Sequence, residues 1–253
     1  MTWPFTARRA GVHHAALTDV GRRHEKNEDA VLVIVPPDRQ EWGFDVAAIV
    51  CDGVSGQPRG EVASKISIDV FRSTLSRSDE RSLAERLRIA AAAASAAILD
   101  FAKREVEGAP VASTVVALAL HGHAATIGHV GNSRAYLLRA GELMQLTNDH
   151  SFVAEQVRQG IILASEARRH PMRSRISRAL GTPGADGMDV TDVSAEAGDV
   201  FLLCSDGLHD FVEEAEIAKA ISGDLERSVH RLIDLANAAG GADNITVALC
   251  EVA

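Results

Sequence analysis

Three acidic turns spread along the chain hold the residues best suited to chemistry, and each adjoins an apolar, strand-like run. Ala47-Ala48-Ile49-Val50-Cys51 runs into Asp52-Gly53, and Val200-Phe201-Leu202-Leu203-Cys204 runs into Ser205-Asp206-Gly207. Gly240-Gly241-Ala242 leads into Asp243-Asn244, and Ile245-Thr246-Val247-Ala248-Leu249 follows. Buried strands that end in aspartates gather carboxylates at one end of a sheet. Several carboxylates cannot all stay ionised at close range without a cation between them. Hard divalent cations such as Mg²⁺ and Mn²⁺ favour oxygen ligands of this type. The pattern points to metal-dependent hydrolysis.

The elements that must position these turns follow from periodicity and turn chemistry. Val12–Thr18, Ala30–Val35 and Phe44–Cys51 read as strands. Glu61–Leu75 reads as a helix with Val62, Ile66, Val70 and Ile68 on its apolar side. Ser78 or Asp79 caps a second, long helix that runs to about Val106, and its Ala90–Ala94 stretch has high helix propensity. Thr114–Leu120, Ala124–Val130 and Ala135–Arg139 follow as strands. Their links, His121-Gly122-His123, Gly131-Asn132-Ser133 and then Ala140-Gly141, are short enough for antiparallel pairing. From Leu146 to about Asp186 the pattern turns irregular and rich in arginine and histidine, as an inserted flap would. Strand Val200–Cys204, helices around Glu213–Ile221 and Leu225–Ala239, and a last strand Ile245–Val252 complete the chain. Paired helices and antiparallel strand groups predict an α+β fold, two sheets face to face with helices outside.

The totals suit one domain or two small ones: 253 residues, 46% hydrophobic and 24% charged. Aromatics make up only 4%, so the core must be built from Ala, Val, Ile and Leu. A net charge of −9 without any basic run argues against general affinity for nucleic acid or acidic membranes. Bound divalent metals would reverse that sign locally. Cys51, Cys204 and Cys250 all sit in apolar runs without CxxC spacing, as buried thiols in a reducing compartment. Met1–Ala10 is too short and polar for a signal peptide, and no apolar run approaches the ~20 residues that span a bilayer. The expectation is a cytoplasmic protein.

Taken together, the turns resemble one family, the metal-dependent PPM or type 2C protein phosphatases, in its bacterial form. The resemblance runs from about Thr18 to Val247, with the motifs in the family's order. Thr18-Asp19-Val20-Gly21 with Asn27-Glu28-Asp29 resembles the opening motif, and Cys51-Asp52-Gly53-Val54-Ser55-Gly56 the metal-bridging turn. Ala112-Ser113-Thr114, Gly131-Asn132-Ser133-Arg134 and Leu146-Thr147-Asn148-Asp149-His150-Ser151 come next. Ser205-Asp206-Gly207-Leu208 and Asp243-Asn244-Ile245-Thr246 complete the set. What the resemblance implies is a four-layer αββα sandwich, two antiparallel β-sheets flanked by helices. It also implies a single phosphatase domain over 1–253 with a flap at about 146–186. Asp52 would bridge two Mn²⁺ or Mg²⁺ ions with the Gly53 carbonyl as a further ligand, and Asp206 and Asp243 would complete the site. Glu28, Asp29, Asn132 and Asn244 would stand around the metals and their waters. The implied reaction is hydrolysis of phosphoserine or phosphothreonine in proteins by a water that two metals activate, opposing a serine/threonine kinase.

The chain departs from the family pattern at three positions. Where an arginine usually holds the substrate phosphate, the register gives His24, preceded by Arg23. A guanidinium binds two phosphate oxygens at once and imidazole offers one donor, so His24 or Arg23 is the expected phosphate ligand. Asn132 stands where many bacterial members carry aspartate, which predicts a weak or absent third metal site. Val54 replaces the vertebrate-type histidine, so a general acid there is excluded.

Simpler readings compete at single positions. Asp-Gly is a common turn dipeptide. Asp19 suits a structural turn, Ser113 and Thr114 suit hydrogen bonding, and Asp149 and His150 suit flap anchoring. Two functional alternatives stand beside the phosphoprotein phosphatase. One is a weak or inactive pseudophosphatase that acts as a binding module, and the other is a small-molecule phosphoesterase.

Overall fold

The computed structural model describes residues 5–9, 12–54, 59–77, 81–167, 169–182 and 187–253. The elements run β1 (Phe5–Arg9), β2 (Val12–Asp19), β3 (Asp29–Ile34), α1 (Arg39–Trp42), β4 (Val46–Asp52), α2 (Gly60–Leu75) and α3 (Leu83–Glu105). Then come β5 (Val115–His121), β6 (Ala124–Val130), β7 (Arg134–Arg139), β8 (Glu142–Gln145), α4 (Phe152–Arg158) and α5 (Ala164–Ala167). The remainder is β9 (Asp189–Ser194), β10 (Val200–Cys204), α6 (Asp206–His209), α7 (Glu214–Ala220), α8 (Leu225–Ala238) and β11 (Ile245–Val252). One antiparallel sheet has the order β1-β2-β11-β10-β7-β8, and the other β3-β4-β5-β6-β9.

Strand alternation sorts the core into three layers. On β4, Ala47, Ile49 and Cys51 pack with α2 and α3, whereas Val46, Ala48 and Val50 face the other sheet. On β11, Ile245, Val247 and Leu249 pack under α8, and Ala248, Cys250 and Val252 point between the sheets. The result is the expected αββα sandwich. Its central layer is lined by small side chains, Ala16, Ala48, Ala125, Ala135, Ala195 and Ala248, around Phe201. All three cysteines are buried and free. Among the described residues no helix is long and apolar enough to cross a membrane.

Some local expectations shift. The cap of α3 is Ser82, whose hydroxyl accepts from the Glu85 N–H while the Glu85 carboxylate accepts from the Ser82 N–H. Ser78 and Asp79, the expected caps, lie outside the described residues. The buried face of α2 is Ala63, Ser64, Ser67, Ile68, Phe71 and Leu75, with Ile66 and Val70 only partly buried. That helix is covered on two sides, by β3 and β4 and by α3, so small residues belong on its face. Three short edge or near-edge strands, β1, β8 and β9, were not anticipated.

Register fixes the functional end. Asp29 lies opposite Asp52 across β3 and β4, and Asp19 opposite Ile245 across β2 and β11. Cys204, the last residue of β10, lies opposite Val247. The strand ends that carry the acidic turns therefore share one end of the sandwich.

Candidate active site

Each sheet delivers two aspartates to this end. Asp29 and Asp52 come from one, and Asp206 and Asp243 from turns flanking β10 and β11 of the other. A hydrogen bond crosses the gap directly, since the Ser205 hydroxyl donates to Asp29 Oδ2 at 2.7 Å. Ser205 Oγ in turn accepts from the Thr246 N–H at 3.0 Å. Asp52 is braced from the segment that leads into β5: its N–H donates to Thr114 Oγ1, and its carbonyl accepts from the Ser113 hydroxyl. Ser113 and Thr114 thus serve as the supports that their types suggested. Asp19 is a turn residue, accepting from the Gly21 N–H and from Asn237 Nδ2.

Glycines hold the turns against one another. A Cβ at Gly207 would lie 1.9 Å from the Asn244 carbonyl oxygen, and one at Gly53 would lie 2.3 Å from that of Gly60. Both contacts are backbone on backbone, so any side chain would push an aspartate-bearing turn away. The sequence suggested close approach to metal and substrate. The structure shows close approach between the turns themselves.

Burial and like charge act together on the aspartates. Asp29 is buried, and loss of hydration raises its carboxyl to about 7, with Asp206 and Asp243 adding to the rise and hydrogen bonds from Thr246 and Ser205 opposing it. Burial pushes Asp52 well above the usual carboxylate range, and Asp206, Asp29 and Asp243 push it further. Asp206 is raised to about 6 by burial and then by Asp210 and Asp243. A set of hard oxygen donors that resists full ionisation on its own is chemically fitted to divalent cations. A further oxygen belongs to it. Asn132 Nδ2 donates to Asp206 Oδ2 at 2.8 Å, and the buried Asn132 Oδ1 has no hydrogen-bond partner among the described residues.

The loop before β3 supplies the remaining expected residues. His24 Nε2 lies 3.3 Å from Asp243 Oδ1, while Arg23 is exposed. Asn244 works as a staple: its Oδ1 accepts from the Glu28 N–H at 2.7 Å, and its Nδ2 donates to the carbonyls of Val20 and Lys26. The Glu28 carbonyl accepts from the Gly53 N–H, and its carboxyl lies against Gly60 at the start of α2. Ser55 and Gly56 of the bridging turn lie outside the described residues. Sequence reasoning missed His209, whose Nε2 donates to the Asn132 carbonyl at 3.0 Å. It missed Ser205 as a cross-sheet donor too. Neither residue type carries a signal at its position except adjacency to Asp206.

A cavity of about 370 Å³ lies beside Asn132, His209 and Asp210 and under the flap, with Asn148, Val153, Val157, Arg158 and Arg173 among its walls. Arg134 closes one side through a bidentate pair with Asp149, 2.9 Å from Nε to Oδ1 and 2.7 Å between the second pair of atoms. A larger cavity of about 560 Å³, near Val12, Pro36 and Asp45, sits at the opposite end of the sandwich from the carboxylates.

Comparison with known proteins agrees with this geometry. A profile of the "Protein phosphatase 2C" family matches residues 20–249. The chain is 37% identical over 95% of its length to the serine/threonine protein phosphatase PstP of Mycobacterium tuberculosis, and it spans 45% of that relative's length. It is 34% identical to the serine/threonine phosphatase stp of Listeria innocua, over 95% of this chain and 96% of the relative. The crystal structure of the catalytic domain of PstP in complex with 2 manganese ions superposes with a TM-score of 0.84 at 34% identity, covering 96% of this chain and 98% of that one. The chain belongs to the protein phosphatase 2C family.

Proposed function

We propose that this chain is a metal-dependent serine/threonine phosphoprotein phosphatase. The observation that carries the reading is the meeting of four aspartates, two from each sheet, at one end of the sandwich. Asp52 with the Gly53 carbonyl, Asp206 and Asp243 would hold two Mn²⁺ or Mg²⁺ ions. When bound, such ions supply positive charge to the phosphoryl oxygens and lower the pKa of water towards neutrality. Asp29 and Glu28 border that site and take hydrogen bonds to its waters. Asn244 acts through the loop it staples, keeping Glu28 and His24 in place. His24 or the adjacent Arg23 binds the substrate phosphate, and His24 Nε2 lies 3.3 Å from Asp243 Oδ1. Asn132 offers a neutral oxygen beside Asp206, so a third cation binds weakly or not at all.

The domain is a single phosphatase unit over 1–253, with the segment at about 146–186 as its flap. The substrate is a phosphoserine or phosphothreonine protein in the cytoplasm, made by a serine/threonine kinase. Neither nucleic acid nor membrane is a partner. Purified protein should release phosphate from a phosphothreonine peptide with Mn²⁺ and lose that activity with chelator. Absence of release from folded protein at any Mn²⁺ concentration would favour a pseudophosphatase. Hydrolysis of free nucleotides without any of phosphopeptide would favour a small-molecule phosphoesterase.

A further inference from the structure

His150 stands where four segments cross. Its N–H donates to the Gly131 carbonyl at 2.9 Å, and its ring Nδ1 accepts from the Gly131 N–H at 3.0 Å. The two residues are thus clasped by a reciprocal pair of bonds. The His150 carbonyl accepts from the Ser177 N–H at 2.8 Å, on the return leg of the flap. On its far edge, Nε2 lies 3.1 Å from Asp189 Oδ2 at the start of β9. His129 stacks on the ring at 4.6 Å with planes 13° apart.

Together His129, His150 and Asp189 have the makings of a cation site, but the chemistry assigns them another role. Because Nδ1 accepts from a backbone N–H, Nε2 of the neutral ring carries the proton and donates to Asp189. A metal on Nε2 would leave a ring whose other nitrogen has no proton to give. The Arg178 guanidinium already fills that side, 3.0 Å from Asp189 Oδ1 and 3.1 Å from His150 Nε2.

What the clasp grips is the turn before Asn132. Gly131 has φ +113°, and a Cβ there would lie 2.6 Å from the Thr114 side chain. The turn therefore has no side chain of its own to anchor it. His150 holds it from the flap side and His209 from the α6 side, and between them Asn132 reaches Asp206. We propose that His150 is a positioning residue: its inner ring nitrogen holds the Gly131 turn, and through Asn132 the place of Asp206, separately from the outer contact with Asp189 that seats the flap. The proposal rests on the phosphatase reading for its kinetic readout and on structure alone for the clasp.

The two ring nitrogens can be tested separately. His150→Asn keeps an acceptor near the place of Nδ1 and loses contact with Asp189. His150→Gln reaches towards Asp189 and loses the side-chain bond from the Gly131 N–H, keeping the backbone one. Asp189→Asn weakens the outer contact, together with the Arg178 pair, and leaves the Gly131 bond in place. With Mn²⁺ and a phosphothreonine peptide, His150→Gln should lower kcat about tenfold or more, as small misplacements of an active site do. His150→Asn and Asp189→Asn should stay within about threefold. Limited trypsin cleavage at the exposed Arg169, Arg173 and Arg175 should run the other way, faster in His150→Asn and Asp189→Asn than in His150→Gln. Melting curves identify any variant that fails to fold, and Asp189→Asn, at the half-exposed outer end, keeps the test open in that case. If kcat simply follows flap cleavage across the three variants, His150 is an anchor only and the proposal falls. If the parent releases no phosphate, the phosphatase reading fails. The clasp is then judged by amide exchange at Gly131, which should quicken in His150→Gln and not in His150→Asn.

Discussion

Without metal, the aspartate cluster should make the protein less stable as pH rises, and Asp29→Asn should remove much of that loss. A carboxyl raised from 3.8 to about 7 by folding binds its proton more tightly in the folded state. Its contribution is fully present below pH 3.8 and is lost as pH climbs through about 7. One group moved that far corresponds to about 4 kcal/mol. Asp52 and Asp206 titrate with Asp29, so the protons belong to the cluster. The buried His14, His129 and His150 act in the opposite sense. Burial lowers all three, so their contribution is present above about pH 6.5 and lost as pH falls. The clean quantity is therefore the difference between parent and variant. In chelator, Asp29→Asn should match the parent near pH 4 and exceed it at pH 8 by up to about 4 kcal/mol. For a chain of this size that is about 8–16 °C in melting temperature. Saturating Mn²⁺ should reverse the order, and its binding near pH 6 should release protons that calorimetry in two buffers can count. A difference independent of pH, or a variant no more stable than the parent at pH 8 in chelator, would refute the reasoning.

Other sites give sharper local tests. Asn132→Asp replaces the amide donor to Asp206 with a second carboxylate. It should lower the melting temperature in chelator, recover it with Mn²⁺, and show an additional weak site by titration. Gly207→Ala forces a Cβ into the Asn244 carbonyl. It should cost about 3 kcal/mol or more by urea unfolding and weaken Mn²⁺ binding. His24→Ala and Arg23→Ala, tested separately, should raise KM for a phosphopeptide several-fold in at least one case, and unchanged KM and kcat in both would remove the phosphate assignment.

Much of this was legible because the chain is locally consistent. Strands such as Val46–Asp52 and Ile245–Val252 are largely apolar runs that border acidic turns, the first ending at one and the second beginning after one, and both the layers and the functional end follow from them. The α2 face was misread because periodicity weighs apolar size, whereas a helix packed on two sides wants Ala63 and Ser67. The strands β8 and β9 escaped because edge strands bury little, as the mostly exposed Asp189–Ser194 shows. Ser205, His209 and the His150 clasp were illegible for another reason. Each acts by a hydrogen bond to a residue far away in sequence, and no local pattern records such a partner.

The carboxylate cradle is halved between the two sheets, and this has a consequence for folding. Neither sheet alone owns a site: one brings Asp29 and Asp52, the other Asp206 and Asp243. A chain with one sheet formed and the other still loose would bind divalent ions with only half the ligands. High-affinity metal capture should therefore report on docking of the sheets and lag behind the appearance of β-structure during refolding. In the folded protein an ion held by both pairs of aspartates would act as a clasp between layers. Withdrawing it should speed amide exchange first at the turns around Asp52 and Asp243, and last in the alanine-lined seam at the far end.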